Sequence, residues 1–466
     1  VAGWANAIGL CYHAAVIDRR EFLSMAAAAA LPKRAPNVVL IYCDDLGYGD
    51  IGCYGSTIRT PNIDRLANEG TRFTHFYSGN PVCSPSRAAL LTGRYPVRAG
   101  VPRVLFPRDT TGLPHSEVTL AQVLKTKQYR TMCVGKWHLG HHPPYLPTAR
   151  GFDHYFGIPY SNDMVPRWLM DDTKVIEEQA TLETLTPRYT ERAVRFIEQS
   201  KGSPFFLYMP HTYPHIPLAA SEKFRGKSPL GLYGDVIEEL DWSVGEVMTA
   251  LKRTGQEKDT LVMFSSDNGP WFQGSPGRLR GRKGTTWEGG QRVPFIAKLP
   301  GWIPARKTCN GVSSVMDIVP TVARLCGAEL PRNPLDGVDI SPLLTSVKPE
   351  LEREALLYFN GLNLQCARWG KWKLHVARHN TEAYMPAPPG GVVNLPLSKP
   401  ELYDVVSDPD ESYDAAPENR QVVEQIVARV DRLMNGMPQE VRDARAATLA
   451  RQVREGPAGA MARPVQ

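Results

Sequence analysis

The sequence has no Cys-x-x-Cys pair, and its 466 residues hold only 8 cysteines. A thioredoxin-like redox motif and a paired-cysteine zinc site are therefore not expected, and so few cysteines over this length are no disulfide framework. No apolar run approaches the roughly 20 residues needed to span a bilayer. No concentrated Lys/Arg stretch exists either. The 54 basic and 48 acidic residues leave a formal charge of +6, which suits an anionic substrate and does not point to nucleic acid. There is no internal repeat. What the chain does have is a hydrophobic content of 42% with 22% charged residues, enough for a sizeable core and unlike a disordered chain. Its length allows one large or two smaller domains.

The first 34 residues differ in kind from the rest. Arg19-Arg20-Glu21-Phe22-Leu23 precedes Ser24-Met25 and an alanine run, Ala26 to Ala30. Paired arginines before a short apolar segment read as a twin-arginine export signal, with an alanine-rich helix as the alternative. The expectation is an exported protein, periplasmic or secreted; the alternative is cytoplasmic.

Asn37-Val38-Val39-Leu40-Ile41-Tyr42 is apolar and rich in β-branched residues, as a buried strand requires. Similar runs recur at Thr131–Val134, Phe205–Met209 and Leu261–Phe264. Between them lie helical patterns: one capped by Ser116 through Leu124, then Tyr189–Gln199, Val236–Leu251 and Val315–Leu325. Alternating strands and helices predict an α/β fold, a large mixed and mainly parallel sheet sandwiched by helices. After the Pro- and Gly-containing loops of 332–342 the texture changes. Short strands at Ala355–Phe359 and Lys371–Val376 and a polar helix near Pro417–Met434 predict a smaller C-terminal α+β subdomain. The expected division is an export signal over 1–34, a catalytic domain over 35–345, the subdomain over 346–440 and a tail over 441–466. The charged, alanine-rich tail is compatible with one peripheral helix.

All four apolar runs end in ionisable residues. Asp44 and Asp45 follow Tyr42; Lys136 and His138 follow Val134; His211 and His215 follow Met209; Asp267 and Asn268 follow Phe264. Ligands of open α/β sheets bind outside the carboxyl ends of the strands, so these side chains are expected around one crevice. Three carboxylates and an amide are hard oxygen donors that suit calcium or magnesium better than zinc. Taken alone, Asp44-Asp45 is equally a turn and helix cap, and Asp267-Asn268-Gly269-Pro270 is a turn. Together they favour a metal that neutralises an oxyanion and polarises the bond being broken.

Cys83-Ser84-Pro85-Ser86-Arg87 continues into Ala88-Ala89-Leu90-Leu91-Thr92-Gly93-Arg94. Pro85 suits the first turn of a helix. Residue 83 then lies at a helix N-terminus, where backbone amides and the dipole favour an anion. This run resembles the modification motif of the type I sulfatases, a family of the alkaline-phosphatase superfamily. The resemblance extends from about Asn37 to Asp410. It includes Asp44-Asp45-Leu46-Gly47-Tyr48-Gly49-Asp50, Gly135-Lys136-Trp137-His138-Leu139-Gly140, Asp267-Asn268-Gly269, Lys283-Gly284-Thr285-Thr286 and Leu402-Tyr403-Asp404.

The resemblance implies a sulfuric ester hydrolase in which a formylglycine-generating enzyme oxidises Cys83 to formylglycine (3-oxoalanine). Its hydrated form carries the hydroxyl that attacks sulfur. By the same resemblance Asp44, Asp45, Asp267 and Asn268 bind calcium together with the modified Cys83. Arg87 and Lys136 hold the gem-diol, and His138 is the base for sulfate elimination. His215 and Lys283 contact the sulfate, Asp267 helps activate the attacking hydroxyl, and Ser161 adds a pocket contact. His215 is preferred to His211 because His215-Ile216-Pro217 has the family's spacing to proline. The substrate class is a sulfated small molecule or carbohydrate, such as an aryl sulfate or sulfated sugar. The alternatives are a phosphoester or phosphonate monoester hydrolase of the same superfamily and a non-catalytic binder of sulfated glycans. The resemblance fades between Asp163 and Thr186, where the pocket is expected to be shaped.

Overall fold

All seven residues of Asn37–Cys43 are buried, and they form strand β1 at the centre of a wide sheet in a computed structural model. The structure describes residue 32 and residues 34–381, 383 and 385–455. The twin-arginine segment lies outside the described residues. Eleven further strands precede residue 315: β2 Thr71–Phe73, β3 Phe76–Tyr77, β4 Arg130–Val134, β5 His154–Gly157, β6 Leu169–Asp171, β7 Lys174–Glu177, β8 Phe205–Pro210, β9 Thr260–Ser266, β10 Phe295–Lys298, β11 Lys307–Cys309 and β12 Ser313–Ser314. β3 and β12 pair with each other. The other ten form one sheet in the order β11-β2-β10-β9-β1-β8-β4-β5-β6-β7.

Its middle, β9-β1-β8-β4-β5, is parallel throughout. Antiparallel pairing is confined to β10, β6 and β7 with their neighbours. The sheet is thus mixed and mainly parallel, as expected. Side chains alternate across it. Val38, Leu40 and Tyr42 of β1 join an apolar core with Leu90, Leu120 and Val319, which belong to the helices Cys83–Thr92, Leu120–Lys125 and Ile318–Leu325. Val39 and Ile41 face the opposite core with Ile63, Tyr189 and Val244, from the helices Pro61–Asn68, Leu185–Gln199 and Gly231–Arg253. With helices over both faces, strands in the middle need apolar residues at every position, which is why β1 reads as a run without polar alternation.

Local details depart from expectation. Ser116 does not cap a helix. The helix starts at Leu120 under Thr119, whose hydroxyl accepts from Gln122 N while Gln122 Oε1 accepts from Thr119 N. This reciprocal pair satisfies two end donors that Ser116 is too far away to reach. The next helix begins at Leu185, before Tyr189, because Leu185 and Thr186 are also buried against the sheet.

The C-terminal part is an antiparallel sheet, β13 Leu356–Asn360, β14 Asn363–Trp369, β15 Trp372–His379 and β16 Asn394–Asp404, in sequential order. Helices Arg420–Asn435 and Gln439–Glu455 follow. The second of these is tied to β16, where Arg451 Nη1 donates to Asn394 O at 2.8 Å. A buried ionic cluster joins this sheet to the short helix Glu288–Gln291 and to β3. Lys373 Nζ lies 3.1 Å from both Glu288 Oε1 and Glu411 Oε1, and His375 Nε2 lies 2.7 Å from Glu411 Oε1. Tyr77 donates to Glu288 Oε2 at 2.6 Å. The described cysteines are all unpaired.

Candidate active site

β9, β1, β8 and β4 are adjacent and parallel, so their carboxyl ends share one edge of the sheet. Asp44 and Asp45 follow β1, Asp267 and Asn268 follow β9, and Lys136 and His138 follow β4. The turn after β4 is possible only with glycine: Gly135 has φ +133°, and a Cβ there would lie 1.8 Å from Pro210 O. Asp45 also takes a positive φ, 64°. Its amide donates to Asp267 Oδ1 at 3.1 Å, which fixes the two acidic loops to each other.

Cys83 opens the helix Cys83–Thr92, all of whose residues are buried. Its Sγ and carboxylate oxygens of Asp44 and Asp267 lie within 4.8 Å of one another, as do ligand atoms of Asp44, Asp45 and His215. Burial pushes the Cys83 thiol up, and Asp44 and Asp267 add to this against the pull of Lys136 and Lys283. A thiol held in its protonated form is a weak nucleophile.

Arg87 is wholly buried rather than on the surface. It grips Asp267 Oδ2 through Nη2 at 2.7 Å and Nε at 3.1 Å, and donates from Nη1 to Lys136 O at 2.9 Å. Lys136 Nζ forms an ion pair with Asp44 Oδ2 and donates to Ser161 Oγ at 3.0 Å. Lys283 Nζ donates to Asp45 Oδ2 at 2.9 Å.

The histidines divide by environment. His138 Nε2 is 2.9 Å from Leu105 O. A carbonyl only accepts, so this nitrogen carries the proton and Nδ1 holds the lone pair. Nδ1 is buried with no hydrogen-bond partner. Burial, with Lys136 and Arg87 nearby, holds the ring well below its ordinary pKa and therefore neutral. His215 Nε2 sits 3.8 Å from Asp45 Oδ2, and its Nδ1 is 3.5 Å from Ser161 Oγ. His211 points elsewhere, towards Ser243 Oγ at 3.4 Å and the Tyr189 ring. The acids and cations named from the sequence, with His138, His215 and Ser161, thus converge, and His211 does not. The Leu105 carbonyl was missed; a backbone acceptor has no side-chain signature.

The donor set fits a hard divalent cation. Asp44 Oδ1 and Asn268 Oδ1 are buried acceptors without hydrogen-bond partners, and oxygen-rich sites of this kind suit calcium or magnesium. Asn268 Nδ2 lies 2.7 Å from Asp45 Oδ1. Nδ2 also donates to Gly269 O at 2.9 Å, which leaves Oδ1 as the acceptor open to a cation. The carboxylates crowd one another. Burial and then Asp44 push the Asp267 carboxyl up to about 7 despite Arg87. Asp44 is held well below the usual range, Lys136 and His215 outweighing its burial.

Residues 36–328 match the sulfatase family and residues 351–455 the C-terminal region of aryl-sulfatase. Arylsulfatase A of Homo sapiens is 39% identical, the alignment covering 87% of this chain and 90% of that protein. N-acetylgalactosamine-6-sulfatase of Rattus norvegicus is 40% identical over 76% of this chain and 73% of its own length. Among solved structures, the PsFucS1 sulfatase from Pseudoalteromonas sp. superposes with a TM-score of 0.75 at 31% identity, covering 85% of this chain and 91% of that one. An acidic and cationic centre at the strand ends, on a chain matched to the same family along nearly all its length, leaves one assignment: the protein belongs to the sulfatases, a family of sulfuric ester hydrolases.

Proposed function

We propose that the chain hydrolyses sulfate monoesters of an aryl or sugar alcohol, using formylglycine made from Cys83 and a calcium ion. The observation that carries this reading is the closeness of Cys83 Sγ to the carboxylates of Asp44 and Asp267. A thiolate would be repelled there, whereas a neutral oxygen group sharing a cation with those acids would not. Once oxidised and hydrated, residue 83 supplies a hydroxyl nucleophile and a route for releasing sulfate by return to the aldehyde. Calcium, held by Asp44, Asp45, Asp267 and Asn268 with residue 83, supplies positive charge for the sulfate oxygens.

The rest falls to the chain's own side chains. Lys136 and Arg87, which both form ion contacts with Asp44 Oδ2, orient residue 83. Asp267 Oδ2 is held by Arg87 and Oδ1 accepts from Asp45 N, so the remaining lone pair of Oδ1 is the one left for the hydroxyl to be activated. His138 Nδ1, neutral and unpartnered, accepts the proton when sulfate leaves. Lys283 and His215, both beside Asp45, contact the sulfate. Lys283 is the one that can protonate the departing alcohol oxygen, because His215 Nδ1 keeps its proton on Ile216 O and the buried ring is neutral. Ser161 steadies Lys136 and borders the pocket.

A phosphoester hydrolase would need more positive charge. Among the described residues both metal-competent groups share Asp44 and make one centre, which favours the singly charged sulfate. No helix among those residues is long and apolar enough to cross a membrane. We propose export on the strength of Arg19-Arg20, and a formylglycine-generating enzyme as the maturation partner.

The test is the mass of the tryptic peptide 73–87 from protein made alongside a formylglycine-generating enzyme, with turnover of 4-nitrophenyl sulfate measured on the same sample. Oxidised residue 83 with sulfate release is the expected result. Full turnover by protein whose Cys83 is entirely unmodified would overturn the mechanism.

A further inference from the structure

Lys283 lies inside a turn closed by Thr285, whose N and Oγ1 donate to Arg282 O at 3.0 and 2.7 Å. Gly284, the next residue, has φ +84°, and glycine adopts either sign of φ with little preference. The direction of the loop is therefore set by its hydrogen bonds. Lys283 N donates to Pro270 O at 3.1 Å, and Gly284 N to Pro81 O at 2.8 Å, two residues before Cys83. The Gly284 carbonyl points the other way and accepts from Asn360 Nδ2 at 2.9 Å. Asn360 ends β13 in the C-terminal sheet and pairs with Asn363 across a tight hairpin, so its side chain starts from a rigid base. Its neighbour Phe359 holds the second loop: Asn80 Nδ2 donates to Phe359 O at 3.0 Å. One end of β13 thus ties down both the segment before Cys83 and the segment after Lys283.

We infer that Asn360 is a positioning residue for Lys283, through which the C-terminal sheet sets how tightly the sulfate group is held. The inference rests on the reading of Lys283 as a sulfate contact. Asn360 touches neither the acids nor Cys83. Its amide fixes the Gly284 carbonyl, one residue beyond the Cα from which the Lys283 side chain departs. With a leaving group that needs little protonation, such as 4-nitrophenolate, its loss is therefore felt in substrate binding and little in the bond-breaking step.

The experiment is a double-mutant cycle on the mature enzyme with 4-nitrophenyl sulfate, using Asn360→Ala, Lys283→Ala and the double variant, with Asn360→Asp as a nearly isosteric control that cannot donate. Loss of one such hydrogen bond is expected to raise KM about three- to tenfold with kcat within about twofold. Asn360→Asp should do the same with an unchanged melting temperature. In the Lys283→Ala background, Asn360→Ala should change KM by less than about twofold, because residues acting through one another are not additive. A wild-type KM in Asn360→Ala and Asn360→Asp, beside a raised KM in Lys283→Ala, would overturn the positioning role alone. Equal KM increases on both backgrounds would overturn it too, as would a fall in kcat at constant KM. An unchanged KM in Lys283→Ala would overturn the sulfate-contact reading, and the inference with it.

Discussion

Arg87 and Asp267, 180 residues apart in sequence, meet with neither exposed to solvent, two guanidinium nitrogens on the single oxygen Oδ2. The pair is the mechanical centre of the site, because Asp267 also receives the Asp45 amide and Arg87 also holds the Lys136 carbonyl. Removing one partner of a buried ion pair leaves a stranded charge, which costs about 3–5 kcal/mol. Arg87→Ala should therefore lower unfolding free energy by about that amount in urea titrations and abolish turnover. Arg87→Lys should recover part of the stability and little of the activity, since an ammonium cannot reproduce the forked grip.

Calcium binding to the native state should stabilise the protein by mass action, about 2.7 kcal/mol at one hundred times its dissociation constant. Melting curves with calcium and with chelator should diverge for the wild type and coincide for Asn268→Ala. Identical wild-type curves under both conditions would remove the metal from the account.

Cys83→Ala should leave the melting temperature in chelator within a few degrees of wild type, because only a small group is lost at a helix start, and should remove all sulfate release. Residual turnover near the wild-type rate would mean that residue 83 is not the nucleophile.

His211 gives a pH signature separate from catalysis. Burial pushes its pKa from an ordinary 6.5 down to about 3. Between those values the unfolded chain binds a proton that the folded chain does not, so stability falls as pH drops from 6.5 towards 3. Above 6.5 its stability contribution is complete. His211→Gln should flatten that acid limb in a pH series of denaturant midpoints, with KM and kcat near neutrality unchanged. The same acid slope in both proteins would show that other groups govern it.

Lys373 holds Glu288 and Glu411 together where the C-terminal sheet meets the helix Glu288–Gln291. Lys373→Met should cost about 3–5 kcal/mol by leaving two buried carboxylates to repel each other. Lys373→Met combined with Glu288→Gln and Glu411→Gln should recover much of that loss, measured as the urea midpoint.

The parts of this molecule legible in its sequence are those whose signals are local. β1, β4, β8 and β9 show as short apolar runs because helices cover both faces of the sheet, and the reactive residues follow each run directly. The family motif around Cys83 is contiguous and equally visible. Pairings between distant residues left no such mark. Arg87 read alone could have been a surface residue, and nothing near it names Asp267 as its partner. The strands β14 and β16 were missed because their contacts are with the strands on either side and with the last helices, which no periodicity records. Asn360 acts through a side-chain amide on a backbone carbonyl 76 residues away, and such a contact has no spacing to read. The choice of Thr119 over Ser116 as helix cap depended on Gln122, a pairing visible only once the helix start is known.

The pairing of β1 with β9 spans more than 200 residues of chain, and this sets a timetable. Asp267 leaves the ribosome roughly 180 residues after residue 83, about 10–40 s later at ordinary synthesis rates. Until β9 docks beside β1, Arg87 lacks the Asp267 carboxylate it grips, and until residues 315–325 follow, the helix beginning at residue 83 lacks elements against which it packs. In the finished protein Cys83 is 3% exposed. Any enzyme that is to alter this cysteine works on a growing or newly made chain, and a maturation step missed in that interval is closed off by folding itself.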